Sequence, residues 1–259
     1  MSGYPRPTVV IEDPTAGRPS TGGAPPVVAV MVVHEPGPWF DEVLDSIARQ
    51  DYPNLRLLFL VTGAQPGVMA HIGQRLPDSL MRALGDNPGF GPAANQSLKL
   101  VEGAGFFCFL HDDVALDPST ISELVAETYR SNAGIVGPKL VDWDRPAVLQ
   151  HVGLSADRVG VTLETAEAGE LDQEQHDAVR DVFCVPTACL LVRIDLFRVL
   201  GGFAHDIDFY GDDLDPVVLT ERHRLRTALS APSGFHLVGL LVVHALYTLS
   251  GTVVGLLSV

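Results

Sequence analysis

Residues 105–118 read GFFCFLHDDVALDP. An aromatic apolar run over residues 106–110 stops abruptly at His111 and two adjacent carboxylates, Asp112 and Asp113. A short run that is apolar at every position is a strand buried on both faces, which predicts a layered α/β chain with a mostly parallel sheet. Carboxylates at the carboxyl end of such a strand sit where open α/β sheets bind ligands. Two neighbouring carboxylates repel each other unless a cation lies between them and the ligand, and a hard divalent metal is the usual solution. The plainer alternative is that Asp112 and Asp113 only end the strand and cap the next turn. This stretch alone leaves both readings open.

The 259 residues allow one sizeable α/β domain with an appendage. A formal charge of −15 argues against nucleic acid as a partner, because a phosphate backbone requires a surplus of Lys and Arg. One small phosphorylated ligand stays compatible, since a bound metal supplies positive charge. Cys108, Cys184 and Cys189 lie in apolar runs without metal-type spacing, so they are expected as buried free thiols in a reducing compartment.

Residues 1–26 are rich in Pro, Gly, Ser and Thr and are expected as a disordered tail without a signal peptide. Residues 27–33, VVAVMVV, form a first strand. The spacing of Phe40, Val43, Leu44, Ile47 and Ala48 predicts a helix over 39–50, and residues 55–61 a second strand. The result is a βαβ unit with parallel strands. A helix near 68–75, a strand near 81–84, a loop over 86–92 and a helix over 91–102 lead to the 106–110 strand. A helix over 119–130, with Glu123 and Glu127 on its polar side, precedes a strand over 134–141. Short strands are expected near 148–154 and 159–163. Residues 164–181 are acidic and expected as exposed and partly helical. One or two strands over 182–193 and a short helix over 195–200, stopped by Gly201 and Gly202, come next.

No Asp, Glu, Lys or Arg occurs from Thr227 to the last residue. Residues 235–259 are almost wholly apolar and would be about 37 Å long as a helix, enough to cross a bilayer. Arg222, Arg224 and Arg226 lie just before them in a basic linker, 216–234. By the positive-inside rule the preceding domain is expected in the cytoplasm, on a membrane anchor. A buried core helix is the alternative.

The order of these motifs resembles a family 2 glycosyltransferase with the GT-A fold, across residues 27–215. VVAVMVVHEPGPWFDEVLDSIARQDYPNLRLLFLV resembles the family's first strand, a helix ending in a "Q-x-Y-P-N" turn, and the second strand. DNPGFGPAAN resembles the "N-x-G-x-G-x-A-x-N" loop and helix start, FCFLHDDVALDP the DXD strand end, and GIVGPKLV the strand after the next helix. TACLLVRIDLFRVLGGFAHDIDFYGDDLD resembles the acceptor-side segment, which closes on an "E-D-x-D" element. The resemblance implies a Rossmann-like GT-A domain with helices on both sheet faces, here followed by a transmembrane helix. It is similar to a shortened form of actinobacterial membrane-bound glycosyltransferases.

The resemblance implies roles as well. A sugar moves from a nucleotide-diphosphate donor to an acceptor hydroxyl, with inversion, and the leaving diphosphate needs a metal or cations. Asp113 takes the position of the metal-contacting Asp, with Mg2+ or Mn2+ as the cofactor. Asp112 and His111 face the ribose, phosphate or metal waters. Asp213 maps to the general base and Asp212 to the preceding acid, with Asp215 two positions on. Asn87, Gly89, Gly91 and Asn95 are assigned to the substrate, as are His34 and Glu35 in the loop after the first strand. Glycines there admit a ligand close to the backbone, and the helix start near Gly91 points N–H groups at an anion. The implied acceptor is a lipid-linked or cell-envelope glycan.

Three positions depart from the family pattern. His111 stands where the first Asp of DXD is usual. Val61-Thr62-Gly63 carries no carboxylate where a base-reading Asp pair is usual. Pro216 comes directly after Asp215, where relatives start a helix reading "L-C-x-R". About forty to eighty residues are expected to be absent relative to an α/β domain of ordinary size. The competing expectation is a catalytically impaired nucleotide-sugar-binding or partner-binding module. A nucleotidyltransferase fits less well, because HEPGP lacks the basic glycine-rich loop such enzymes place after the first strand.

Overall fold

The computed structural model describes residues 23–63, 66–156, 162–182, 184–203, 225–228 and 240–243. The first half of the chain alternates strand and helix. β1 (Val27–Val33), α1 (Phe40–Ala48), β2 (Leu55–Thr62), α2 (Pro66–Arg75), β3 (Leu80–Leu84), α3 (Phe90–Ala94), α4 (Ser97–Leu100) and β4 (Phe106–His111) occur in that order. Then come β5 (Val114–Ala115), α5 (Thr120–Ser131), β6 (Ile135–Asp142), β7 (Leu149–His151), β8 (Leu154–Ala156), β9 (Thr162–Glu164), β10 (Arg180–Asp181), β11 (Cys189–Arg193) and α6 (Ile194–Leu200). β12 (Leu225–Ala228) and β13 (Leu240–Val243) complete the described elements.

β3, β2, β1 and β4 lie side by side and parallel, in that order. β11 joins β4 antiparallel, and β6 joins β11 antiparallel, so the sheet is parallel on one side and mixed on the other. β1 shows why an unbroken apolar run was needed. Val27, Ala29, Met31 and Val33 pack beneath α1, α2 and α5, while Val28, Val30 and Val32 pack beneath α3 and α6. Both faces are covered, so no position of β1 meets water.

Several expectations are corrected. The helix over 91–102 is two pieces, α3 and α4, divided at Asn95 and Gln96. Glu127 is 3% exposed and its carboxylate pairs with Arg130, so it belongs to the buried side of α5. Residues 165–179 contain no helix. They form an acidic strap fastened to β6, where buried Lys139 Nζ meets Asp172 at 2.7 Å and Asp177 at 2.6 Å. A buried ammonium has to be paired, and the strap supplies both carboxylates. Cys108 and Cys189 are buried free thiols, and Cys184 is a half-buried one.

Leu240–Val243, inside the segment read as a membrane helix, is a strand antiparallel to Ile135–Pro138 of β6. No helix among the described residues is long and apolar enough to cross a membrane. Of the expected tail 1–26, residues 24–26 are ordered, their carbonyls accepting bonds from Asn54, Tyr52 and Gly105. Residues 1–22, most of 235–259 and most of the 216–234 linker lie outside the described residues.

Candidate active site

Strand register puts four carboxyl ends at one edge. Val32 lies beside His111, Val33 beside Val61, and Thr62 beside Leu84. The loops leaving that edge carry His34 and Glu35, Gly63, Asn87 and Gly89, and Asp112 with Asp113. All the described candidate residues except Gly91 and Asn95 therefore sit on one rim, because parallel strands deliver their following loops to the same end.

The rim is hydrogen-bonded across strands. The His34 backbone N–H donates to Asp112 Oδ2 at 2.7 Å, and Trp39 Nε1–H donates to the Asp112 carbonyl at 3.2 Å. Thr62 is fully buried and its hydroxyl donates to the Val33 carbonyl at 3.2 Å. With that proton committed, the 3.0 Å contact between Thr62 Oγ1 and His34 Nδ1 is a bond donated by the imidazole. Asp112 and Asp113 are only 6% and 8% exposed. Glu35 is exposed with φ of 49°.

His111 closes the other side. Its Nε2 lies 3.1 Å from Thr187 Oγ1, its backbone N–H donates to the Ala188 carbonyl at 3.1 Å, and the Phe90 ring lies 4.5 Å away. Behind it, the Cys189 thiol is pushed well up from the ordinary value by a hydrogen bond with Cys108 and by burial. Cys189 is therefore a protonated core side chain and not a nucleophile.

Asn87 is exposed and its Oδ1 accepts the Gly89 N–H at 3.1 Å, which shapes the loop into α3. Asn95 is buried and bonds the backbone of Phe203 in both directions, each at 2.8 Å. Open cavities among the described residues flank the sheet. One, about 420 Å³, is lined by Pro36, Pro38, Phe40, Asp41, Val68 and His71, beside the loop after β1. Another, about 400 Å³, lies at the opposite end of β4, against Phe106, Tyr129 and Arg193, far from the carboxylates.

The sequence profile of "Glycosyltransferase like family 2" matches residues 25–235. The chain belongs to that family. It is 24% identical over 217 residues to the O-antigen biosynthesis protein RfbC of Myxococcus xanthus, covering 81% of this chain and 17% of that protein. It is 27% identical over 210 residues to the N-acetylglucosaminyl-diphospho-decaprenol L-rhamnosyltransferase of Mycobacterium tuberculosis, covering 73% of this chain and 68% of that one. The mannosyltransferase PcManGT of Pyrobaculum calidifontis, solved with GDP-Man and Mn2+, superposes with a TM-score of 0.50 at 16% identity, over 80% of this chain and 53% of that one. S. aureus TarS 1-349 superposes with a TM-score of 0.53 at 13% identity, over 84% and 60%. The fold is thus GT-A-like. The chain spans only a sixth of the Myxococcus protein and little more than half of either solved structure.

In this member of the glycosyltransferase-like family 2 the donor set at the rim suits a hard cation. Among the described residues no three His, Cys, Asp or Glu side chains gather as a closed metal cage. Mg2+ and Mn2+ sites built from one or two carboxylates are completed by substrate phosphates and water, and Asp112 and Asp113 supply such a pair. Asp212, Asp213 and Asp215 lie outside the described residues. α3 begins at Phe90 with Gly89 at its N-cap (φ 86°), so Gly91 lies in its first turn. Trp39, Thr62, Phe90, Thr187 and Phe203 were not singled out from sequence. Thr62 figures there only within Val61-Thr62-Gly63, where a carboxylate pair is usual and none stands.

Proposed function

We propose that the chain transfers a sugar, with inversion, from a nucleoside-diphosphate donor at the β1–β4 rim to a lipid-linked or cell-envelope glycan. The observation that carries this reading is the buried Asp112–Asp113 pair at the carboxyl edge, with Asp112 held by the His34 N–H. A fixed backbone donor orients the Asp112 carboxylate and offsets part of its charge. Asp113 holds the divalent metal, which when bound offsets charge on the leaving diphosphate. His34, Glu35, His111, Asn87 and Gly89 line the donor, and His111 and Asn87 offer it polar contacts.

Asp213 accepts the proton of the acceptor hydroxyl, with Asp212 and Asp215 beside it. The hydroxyl oxygen bonds to the anomeric carbon as the bond to the diphosphate breaks, and the electron pair leaves with the diphosphate oxygen. The M. tuberculosis relative is named for a diphospho-decaprenol acceptor, which supports a lipid-linked acceptor here.

The test is transfer or hydrolysis of UDP-, GDP- and TDP-sugars by the purified chain with Mn2+ or Mg2+. Turnover should fall at least about a hundredfold in Asp113→Asn and in Asp213→Asn. Turnover that survives either change overturns the mechanism. Nucleotide binding by the native chain without any turnover identifies a binding module instead.

A further inference from the structure

We propose that Asn95 is a positioning residue that sets the His111 side of the rim from behind and touches no substrate. This rests on the donor reading of that rim.

Asn95 is 7% exposed, and each end of its amide is engaged. Oδ1 accepts the Phe203 N–H and Nδ2 donates to the Phe203 carbonyl, both at 2.8 Å. A side-chain amide used this way imitates a strand pairing between segments 108 positions apart. The clasp requires the Gly202 backbone to lie against the Asn95 amide and the Gly91 backbone against the Phe203 side chain. A Cβ on Gly202 would lie 2.3 Å from Asn95 Oδ1, and one on Gly91 would lie 3.1 Å from Phe203 Cβ.

The clasp reaches the rim through rings. Phe203 packs on Phe109 at 5.0 Å, on Phe197 at 5.2 Å and on Phe90 at 5.8 Å between centroids. Phe90 lies 4.5 Å from the His111 ring. Fixing Phe203 therefore fixes one wall of Phe90, and Phe90 sets the imidazole. Close-packed interiors transmit such displacements rather than absorbing them.

A double-mutant cycle tests this. Binding of UDP and GDP, each with Mn2+, is measured by calorimetry on the full chain, native and with Asn95→Ala, Gly202→Ala, His111→Ala and the Asn95→Ala/His111→Ala pair. Asn95→Ala and Gly202→Ala attack the clasp from opposite sides. Each should weaken nucleotide binding about tenfold and speed amide exchange at Phe203. His111→Ala should weaken binding without changing that exchange. The double variant should bind no worse than His111→Ala, because Asn95 acts through His111.

Effects that multiply in the double variant overturn the proposal, since Asn95 would then contact the nucleotide itself. Faster exchange with unchanged affinity overturns it as well. Asn95→Asp keeps the acceptor for the Phe203 N–H and should fall between native and Asn95→Ala, which tests the clasp if the alanine variant does not fold. A native chain that binds neither nucleotide refutes the donor reading and this inference together. Binding without coupling refutes this inference alone.

Discussion

The backbone N–H of His34 donates to Asp112 Oδ2 at 2.7 Å, joining the ends of two adjacent parallel strands from 78 positions apart. The loop after β1 thus holds a carboxylate carried by the loop after β4. Replacing Asp112 by Ala leaves a half-buried donor unsatisfied, at a cost of about 1–3 kcal/mol. Denaturant unfolding should show that loss. Asp112→Asn keeps an acceptor for His34 and should cost less than half as much. If both variants unfold at the native midpoint, the bond does not hold the rim.

Lys139 and the strap give a second expectation. Lys139 is 2% exposed and its two partners are mostly covered. Lys139→Ala strands two carboxylates against the sheet and should destabilise by about 3–5 kcal/mol. Combining Lys139→Met with Asp172→Asn and Asp177→Asn removes all the charges and should recover at least about 1 kcal/mol of that loss. Limited proteolysis of residues 165–182 should accelerate in the alanine variant and return toward native in the triple one.

Much of the sheet is legible in the sequence because β1, β2 and β4 each declare themselves locally by an apolar run between turn residues, whereas β3, interrupted by Arg82 and half exposed, does not. What is not legible depends on partners far along the chain. The acidic strap looks solvated until Lys139 is placed under it. Glu127 looks like a polar helix position until Arg130 covers it from one turn away. Residues 240–243 are apolar enough for a membrane helix or a buried strand, and only pairing with β6 selects the strand for those four. The rim carboxylates at Asp112 and Asp113 were visible as an interruption of an apolar run. The Thr62–His34 and Asn95–Phe203 bonds had no comparable signal, since Thr and Asn are ordinary loop-flanking residues.

The "Q-x-Y-P-N" turn has a role beyond stopping α1. Gln50 Nε2 donates to the Asp117 carbonyl at 2.7 Å, and Gln50 Oε1 accepts the Ile121 N–H at 3.1 Å. One side chain ties α1 to the first turn of α5, just past the rim carboxylates. Gln50→Ala should cost about 1–3 kcal/mol for the two bonds. Gln50→Glu, which keeps only the acceptor, should lose about half. Thermal or denaturant midpoints check both: equal losses would show that the Ile121 bond contributes nothing, and no loss in Gln50→Glu that the Asp117 bond contributes nothing.

The strap should also respond to acid. Hydrogen bonds from Gln175, from the Glu167 N–H and from His176 hold the Glu170 carboxyl at about 2, below the ordinary 4.5. A depressed carboxylate stabilises the folded state fully above the unfolded value. That contribution disappears as pH falls from about 4.5 toward 2. Carbon-detected NMR titration of Glu170 should give a midpoint near the lower figure. Glu170→Gln should flatten this part of the acid unfolding curve, and an unchanged curve would show that the strap does not use the charge.

β11 is the strand that runs against its neighbours β4 and β6. It leaves the rim beside Thr187 and carries the chain to the far edge, and α6 brings it back to Phe203. The two ends of that round trip press on the same few side chains, Thr187 on His111 and Phe203 on Phe90. A one-residue insertion in β11 or α6 would pull one end out of step with the other. Single insertions in either should be tolerated poorly, because one residue in β11 flips the strand's faces and one in α6 turns that helix by about 100°.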